Sequence, residues 1–365
     1  MKNTLQHRGW ISRIRLLAAS VALALPVVLV PTLIATQSAQ AQSYKVLYRF
    51  TGGADGAAPY AGLVRDPAGN LYSTTAYGGA SNVGTVFKLD TTGTETVLHS
   101  FSGMPDGAQP EAGLVLDKAG NLYGTTAAGG INCTDLNYQC GVIFKVDPTG
   151  NETVLYRFTG GADGARPEAG LVLDKAGNLY GTAESGGFTG GECGSWGCGV
   201  VFKLDPTGKE AVLYSFTDGA DGASPAADLI RDEAGNLYGT NLFGPPLGKA
   251  SGTVFKLDPT GKETVLYSFT GGPDGGWPHA GLVRDKSGNL YGTTYYGGTY
   301  GFGTVFKVDT SGNETVLYSF AGSPKGDGAR PLGKVSSRQG GQPLRNHQQG
   351  RWRHRRNGVQ AGYDR

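Results

Sequence analysis

The chain has 365 residues, 62 of them glycine, and its 32 basic and 30 acidic side chains leave a formal net charge of +2. That near balance conceals three unlike parts: residues 1–41 carry four basic and no acidic side chains, residues 333–365 eight basic and one acidic, and the stretch between them 20 basic and 29 acidic. A body at −9 argues against nucleic acid as its ligand, because that ligand selects a basic face.

Taken in chain order, the first element is a leader. Lys2, Arg8, Arg13 and Arg15 precede an apolar run from Leu16 to Ala35, and Ala39-Gln40-Ala41 follows. A basic segment, an apolar segment and a small-x-small site predict a signal peptide over 1–41, cleaved after Ala41. Pro26 and Pro31 favour removal over retention as an anchor. The mature chain is then exported, to the periplasm, the cell surface or the medium. No later apolar run approaches spanning length, so no transmembrane helix is expected in it.

Residues 42–332 repeat themselves. Six aspartates of a DG dipeptide, Asp55, Asp106, Asp163, Asp221, Asp274 and Asp327, mark a period of 51 to 58 residues. Within each period four short runs recur, typified by AGLVLD, NLYGTT, GTVFKLD and ETVLYSF. They are rich in β-branched, aromatic and leucine residues and punctuated by Gly, Pro, Asp and Asn, with no helical periodicity. The turns DKAGN and DPTGN place glycine where a tight hairpin needs positive φ. Four antiparallel strands per unit of about fifty residues predict an all-β chain, a β-propeller of four-stranded blades. Five blades are complete. Tyr44–Phe50 stands alone ahead of them as a fourth strand, and propellers close when such a strand completes the last blade. The missing partners should follow Asp327.

Residues 333–365 read as a basic tail, and their codons explain it. Gly341 to Gln348, read one base later with permitted third bases, spells Gly-Asn-Leu-Tyr-Gly-Thr-Thr. The same shift over Arg356 to Asp364 spells Gly-Thr-Val-Phe-Lys-Leu-Asp-Thr. We read the tail as a sixth blade out of frame rather than as a basic arm for an anionic partner. An opened ring would expose sheet edges.

The units DGAxPxAGLVxDKAGNLYGTT and GTVFKLDPTGNETVLYSF resemble the GloVer tandem repeat of exported bacterial proteins, over about Tyr44 to Pro331. The blade pattern is similar, at the level of strand order, to NHL and gluconolactonase-like propellers. The first resemblance implies surface or secreted placement and brings no activity with it.

Candidate sites follow from the strand order. The loops between second and third strands share a face with the connections between blades, and those loops vary in length and carry aromatic residues. Tyr77, Trp196, Tyr295, Tyr296 and Tyr300, joined by Trp277 from a connection, are candidate ligand-binding residues, the alternative being that these rings only cover blade edges. Flat rings suit sugar faces, so a carbohydrate or cell-envelope component is the expected partner and a non-catalytic, cofactor-free, monomeric module the expected form. The enzyme alternative is a lactonase- or lyase-like propeller with a channel metal held by Glu111, Glu168 and His279, which follow the proline opening each unit. His99, which replaces a tyrosine of VLYSF, reads as a packing substitution, and the DG aspartates read as turn formers. Cysteines paired within loops predict two local disulfides, Cys133–Cys140 and Cys193–Cys198, with a four-cysteine zinc site as the alternative.

Overall fold

In four of the five units the NLYGT run holds a glycine with no room for a side chain as packed, and the first unit holds Ser73, whose hydroxyl donates to the Gly62 carbonyl at 3.0 Å. A Cβ on Gly124, Gly181, Gly239 or Gly292 would lie 2.6 Å from the ring of Phe144, Phe202, Phe255 or Phe306. The phenylalanine of the third run therefore lies over the second run, and both belong to one sheet. The computed structural model describes residues 45–130, 140–245, 251–322 and 328–333, together with the backbone of Val359–Gln360. The chain divides into two units, Met1–Ser43 and Tyr44–Arg365, and every described residue belongs to the second. The expected signal peptide lies outside the described residues.

A short strand, β1 (Val46–Tyr48), comes first. Five four-stranded antiparallel sheets follow, each built from consecutive strands. Blade 1 holds β2 to β5 (Val64–Arg65, Leu71–Thr75, Thr85–Leu89, Glu95–Ser100). Blade 2 holds β6 to β9 (Val115–Leu116, Leu122–Thr126, Val142–Val146, Glu152–Arg157). Blade 3 holds β10 to β13 (Val172–Leu173, Leu179–Ala183, Val200–Leu204, Glu210–Ser215). Blade 4 holds β14 to β17 (Ile230–Arg231, Leu237–Asn241, Thr253–Leu257, Glu263–Ser268). Blade 5 holds β18 to β21 (Val283–Arg284, Leu290–Thr294, Thr304–Val308, Glu314–Ser319). A last strand, β22 (Val359–Gln360), pairs with β1.

The blades pack by one repeated contact. The phenylalanine ending each fourth strand meets, edge to face, the third-strand phenylalanine of the next blade. Phe101 meets Phe144, Phe158 meets Phe202, Phe216 meets Phe255 and Phe269 meets Phe306, with ring centroids 4.9–5.1 Å apart. Phe50, just after β1, meets Phe87 of blade 1 in the same way at 5.0 Å. All but Phe50 are within 1% of complete burial. Each such ring contributes about 1.5–3 kcal/mol by leaving water, and the edge-to-face pair about 0.5–1.5 kcal/mol more. A threonine of the second strand crosses the same seam: Thr74, Thr125, Thr182 and Thr240 donate to the carbonyls of Ala112, Ala169, Ala227 and Pro278 at 2.9–3.5 Å. The starts of the innermost strands meet one another. A Cβ on Gly113 would lie 3.6 Å from the Gly62 carbonyl oxygen, one on Gly170 3.3 Å from that of Gly113. Asp228 accepts the Gly170 N–H at 2.7 Å. Blades stepped by one contact about a narrow axis make a β-propeller.

The aspartates of the repeat bind their own turns. Asp117, in DKAGN, accepts the Asn121 backbone N–H and side-chain amide and the Tyr123 hydroxyl at 2.7–3.1 Å. The described DG aspartates, Asp55, Asp106, Asp163, Asp221 and Asp274, each accept from a Thr or Ser four residues back and pair with the aromatic of the preceding fourth strand, as Asp163 does with Thr159 and Tyr156. His99 takes the tyrosine's place, with Nε2 3.3 Å from Asp106 and its ring edge-on to Phe101. Burial lowers its pKa despite the aspartate, so the substitution keeps the packing role.

Candidate functional site

Loops and connections do share a face. Ala57 bridges Tyr77, Ala108 bridges Ala128, Ala165 bridges Ser185, Ala223 bridges Phe243 and Gly276 bridges Tyr296, each joining a blade's entering connection to its own long loop. On this face the residue before each proline is left-handed without being glycine: Ala58, Gln109, Arg166, Ser224, Trp277 and Arg330 have φ between 53° and 58°. Such backbone is unfavourable for most side chains and concentrates at functional sites. It is held by the preceding blade, whose loop carbonyl accepts the residue's N–H, as Cys140 does for Arg166 at 3.2 Å and Ser251 for Trp277 at 2.6 Å. A rigid repeated scaffold thus presents one variable side chain per blade.

Blades 4 and 5, with Arg330 from the segment that follows them, contribute an aromatic sector. Trp277 lies edge to face with Tyr296 at 5.0 Å and with Phe243 of blade 4 at 5.8 Å, and 6.4 Å from Tyr295. Tyr295 and Tyr296 meet at 4.7 Å. The exposed Arg330 guanidinium stands 5.4 Å and 5.3 Å from the two tyrosine ring centres. Trp277 Nε1 is buried and has no hydrogen-bond partner, whereas a buried indole N–H ordinarily finds one. Trp277, Tyr295 and Tyr296 are half-buried. The structure brings these three sequence-chosen residues together and adds Phe243 and Arg330. The other chosen residues stand apart from the cluster and are exposed: Tyr77 at 39%, Trp196 at 47% and Tyr300 at 48%.

Blades 2 and 3 contribute a charged sector. Arg166 donates to Glu168 at 2.5 Å and lies 3.5 Å from Glu184. Glu184, at the end of β11, has its carboxyl pushed up to about 7 by burial, by the charge of Glu168 and by a side-chain hydrogen bond with it, against the pull of Arg166. Glu111 is raised too, by burial and then by Glu168, with Arg166 opposing. Arg166, although burial works against its charge, is held protonated by Glu184, Glu168 and Glu111. Glu111 and Glu168 therefore lie in one electrostatic group. His279, on blade 5, is not part of it. Among the described residues, the only three metal-type ligands whose donor atoms lie within 4.8 Å of one another are Cys193, Cys198 and Asp218. The two sulfurs there are joined to each other. Glu168 is paired with the Arg166 guanidinium.

Cys193 and Cys198 form a disulfide with Cα atoms 5.3 Å apart, across the 3₁₀ turn Gly191–Trp196. Cys140 is disulfide-bonded as well, and its expected partner, Cys133, lies outside the described residues. No helix among the described residues is long and apolar enough to cross a membrane. The sequence pointed to Trp277, which precedes Pro278, but not to Arg166 or Arg330, which hold the same pre-proline position in other units. Variation of the pre-proline position among otherwise constant repeats was the available signal.

No curated protein matches the sequence. Among solved structures, a gluconolactonase from Xanthomonas campestris is similar at 18% identity and a TM-score of 0.44, over 74% of this chain and 77% of that one. A luciferin-regenerating enzyme is similar at 15% identity and 0.44, over 72% and 76%. These identities are too low to carry an activity across. The model of the Gloeobacter/Verrucomicrobia repeat matches residues 32–193 and again 133–344, which together span the blades just described, and the chain belongs to that repeat family.

Proposed function

We propose that the protein is an exported, non-catalytic binding module, acting outside the cytoplasm on a glycan or a sugar-bearing envelope component. The observation that carries this reading is the cluster of Trp277, Tyr295, Tyr296 and Phe243 beneath Arg330. Rings of this kind stack on sugar faces, and a guanidinium and an unpartnered indole N–H supply polar contacts beside them. Export is supported by the leader composition of residues 1–41 and by the Cys193–Cys198 disulfide, which suits an oxidising compartment. The acidic body, at −9 over residues 42–332, argues against nucleic acid as the ligand. A glycan array probed with the protein and with Trp277→Ala tests the proposal. Retention of at least one glycan by the first and its loss by the second is expected, and identical profiles would refute it.

A second reading is favoured by one observation, the Glu184 carboxyl held near neutrality beside Glu168 and Arg166. A group so poised can give or take a proton at physiological pH, the requirement for a lyase- or lactonase-like enzyme. This reading predicts turnover of lactones or acidic polysaccharides that disappears in Glu184→Gln while the glycan profile persists.

A further inference from the structure

Blade 5 lacks what every other blade has on its far side. Phe320 follows its fourth strand as Phe101, Phe158, Phe216 and Phe269 follow theirs, yet among the described residues its one ring neighbour is Tyr318 of its own blade, at 5.2 Å. Thr293 stands where Thr125 and Thr240 stand, and its buried hydroxyl has no partner. Leu317 and Tyr318 of the same blade are 46% and 38% exposed. At the other end of the chain, β1 and Phe50 cover blade 1 as a complete preceding blade would. Among the described residues, Phe320 and Thr293 of blade 5 lack the cross-blade contacts of their counterparts, and β1 has β22 alone as its partner strand.

A sixth blade nevertheless begins in place. Arg330 is left-handed like its five counterparts, and its N–H reaches the Phe302 carbonyl at 2.7 Å. Pro331 lies against Gly303 as Pro110 lies against Gly84. The far end of that blade is also marked. β1 pairs with β22 through Val46↔Gln360 and Tyr48↔Val359, passing over Leu47. Each complete blade shows the same bulge between its third and fourth strands: Phe87↔Val97 and Val86↔His99 pass over Leu98, and Phe202↔Val212 and Val201↔Tyr214 pass over Leu213. Val359–Gln360 thus holds the backbone place of a third strand. In the frame one base later, Val-Phe of Gly-Thr-Val-Phe-Lys-Leu is spelled by codons 358 to 360. The shifted frame also extends further upstream than its first motif: from Arg338 it permits Asp-Lys-Ala-Gly-Asn-Leu-Tyr-Gly-Thr-Thr, which is the sequence of Asp117 to Thr126.

We infer that the face of blade 5 carrying Phe320 and Thr293 is the seat of a sixth blade encoded by codons 338–364 read one base later, with β1 as its fourth strand. The ring then closes, Thr293 gains an acceptor, Phe320 gains a third-strand phenylalanine, and Arg330 becomes the sixth blade's contribution to the aromatic cluster. The nucleotide sequence tests this first. Third bases that spell Asp-Lys-Ala-Gly-Asn-Leu-Tyr-Gly-Thr-Thr and then Thr-Val-Phe-Lys-Leu one base later are required; stop codons or unrelated residues there would overturn the inference. A chain from a gene lacking one base between codons 333 and 338, compared with the chain as it stands, tests the closure. Amide exchange of Val46 to Tyr48 and of Glu314 to Ser319 is expected to slow by about tenfold or more, as for strands moved from an edge into a cooperative core. Unchanged exchange at both strands in a folded, frame-restored chain would overturn the closure, and so would failure of that chain to fold while the original folds.

Discussion

Two threonines at one repeat position give a controlled comparison. Thr125 is 1% exposed and donates to the Ala169 carbonyl at 3.0 Å, across the seam between blades 2 and 3. Replacement by valine keeps the shape, removes the hydrogen bond and leaves that carbonyl short of a donor. Leaving that buried acceptor unsatisfied costs about 1–3 kcal/mol, so we expect Thr125→Val to destabilise by about 1–3 kcal/mol. Thr293 is 4% exposed and bonds to nothing. Its replacement by valine removes a buried polar group that has already lost its water, so Thr293→Val should be neutral or stabilising by about 1 kcal/mol. Urea unfolding followed by circular dichroism reads both, with the midpoint as the comparison if the slope is unchanged. Equal losses in the two variants would refute the reasoning, because they would place an acceptor beside Thr293 or deny the seam bond at Thr125.

Glu184, with its folded pKa near 7 against an ordinary 4.5, contributes stability that is fully present below about pH 4.5 and lost as pH rises through about 7. The shift corresponds to ~3 kcal/mol, and Glu184→Gln should flatten the fall in unfolding free energy between those pH values. Glu152, Glu210, Glu263 and Glu314, also raised to about 7 by burial and by Asp106, Asp163, Asp221 and Asp274, push in the same direction and keep a residual slope in the variant. Opening the Cys193–Cys198 disulfide, which closes a short loop, should cost about 2 kcal/mol and raise amide exchange in the Gly191–Trp196 turn while the blades stay protected. Exchange rising throughout blade 3 would show that the bond holds more than its loop.

The blades were legible because their constraints are local and repeated. Glycine under a phenylalanine, Asp-x-x-Gly-Asn turns and alternating apolar runs each specify geometry within a few residues, and five copies remove ambiguity. His99 was legible as packing because its neighbours are those of the tyrosine it replaces. The site was legible in part. Trp277, Tyr295 and Tyr296 could be placed on the variable face, but their meeting with Arg330 depends on the step from one blade to the next, which no single unit encodes. What the sequence did not disclose is that Arg166, one residue before the proline, would reach Glu168 and draw Glu184 from the end of β11 into the same group. That outcome rests on left-handed backbone at a residue other than glycine, for which the sequence offers no turn signal.

The central claim is that ligand binds the aromatic cluster and not the projecting loops. Titration calorimetry with the strongest array glycan, on the parent chain and on Trp277→Ala and Trp196→Ala, separates the two most directly. Trp277 is packed among Tyr295, Tyr296 and Phe243, and loss of a central aromatic anchor typically exceeds 2 kcal/mol, so Trp277→Ala should weaken binding by about thirtyfold or more. Trp196, exposed on the disulfide-closed turn, should change it by less than about twofold. Full affinity in Trp277→Ala with loss in Trp196→Ala would contradict the account.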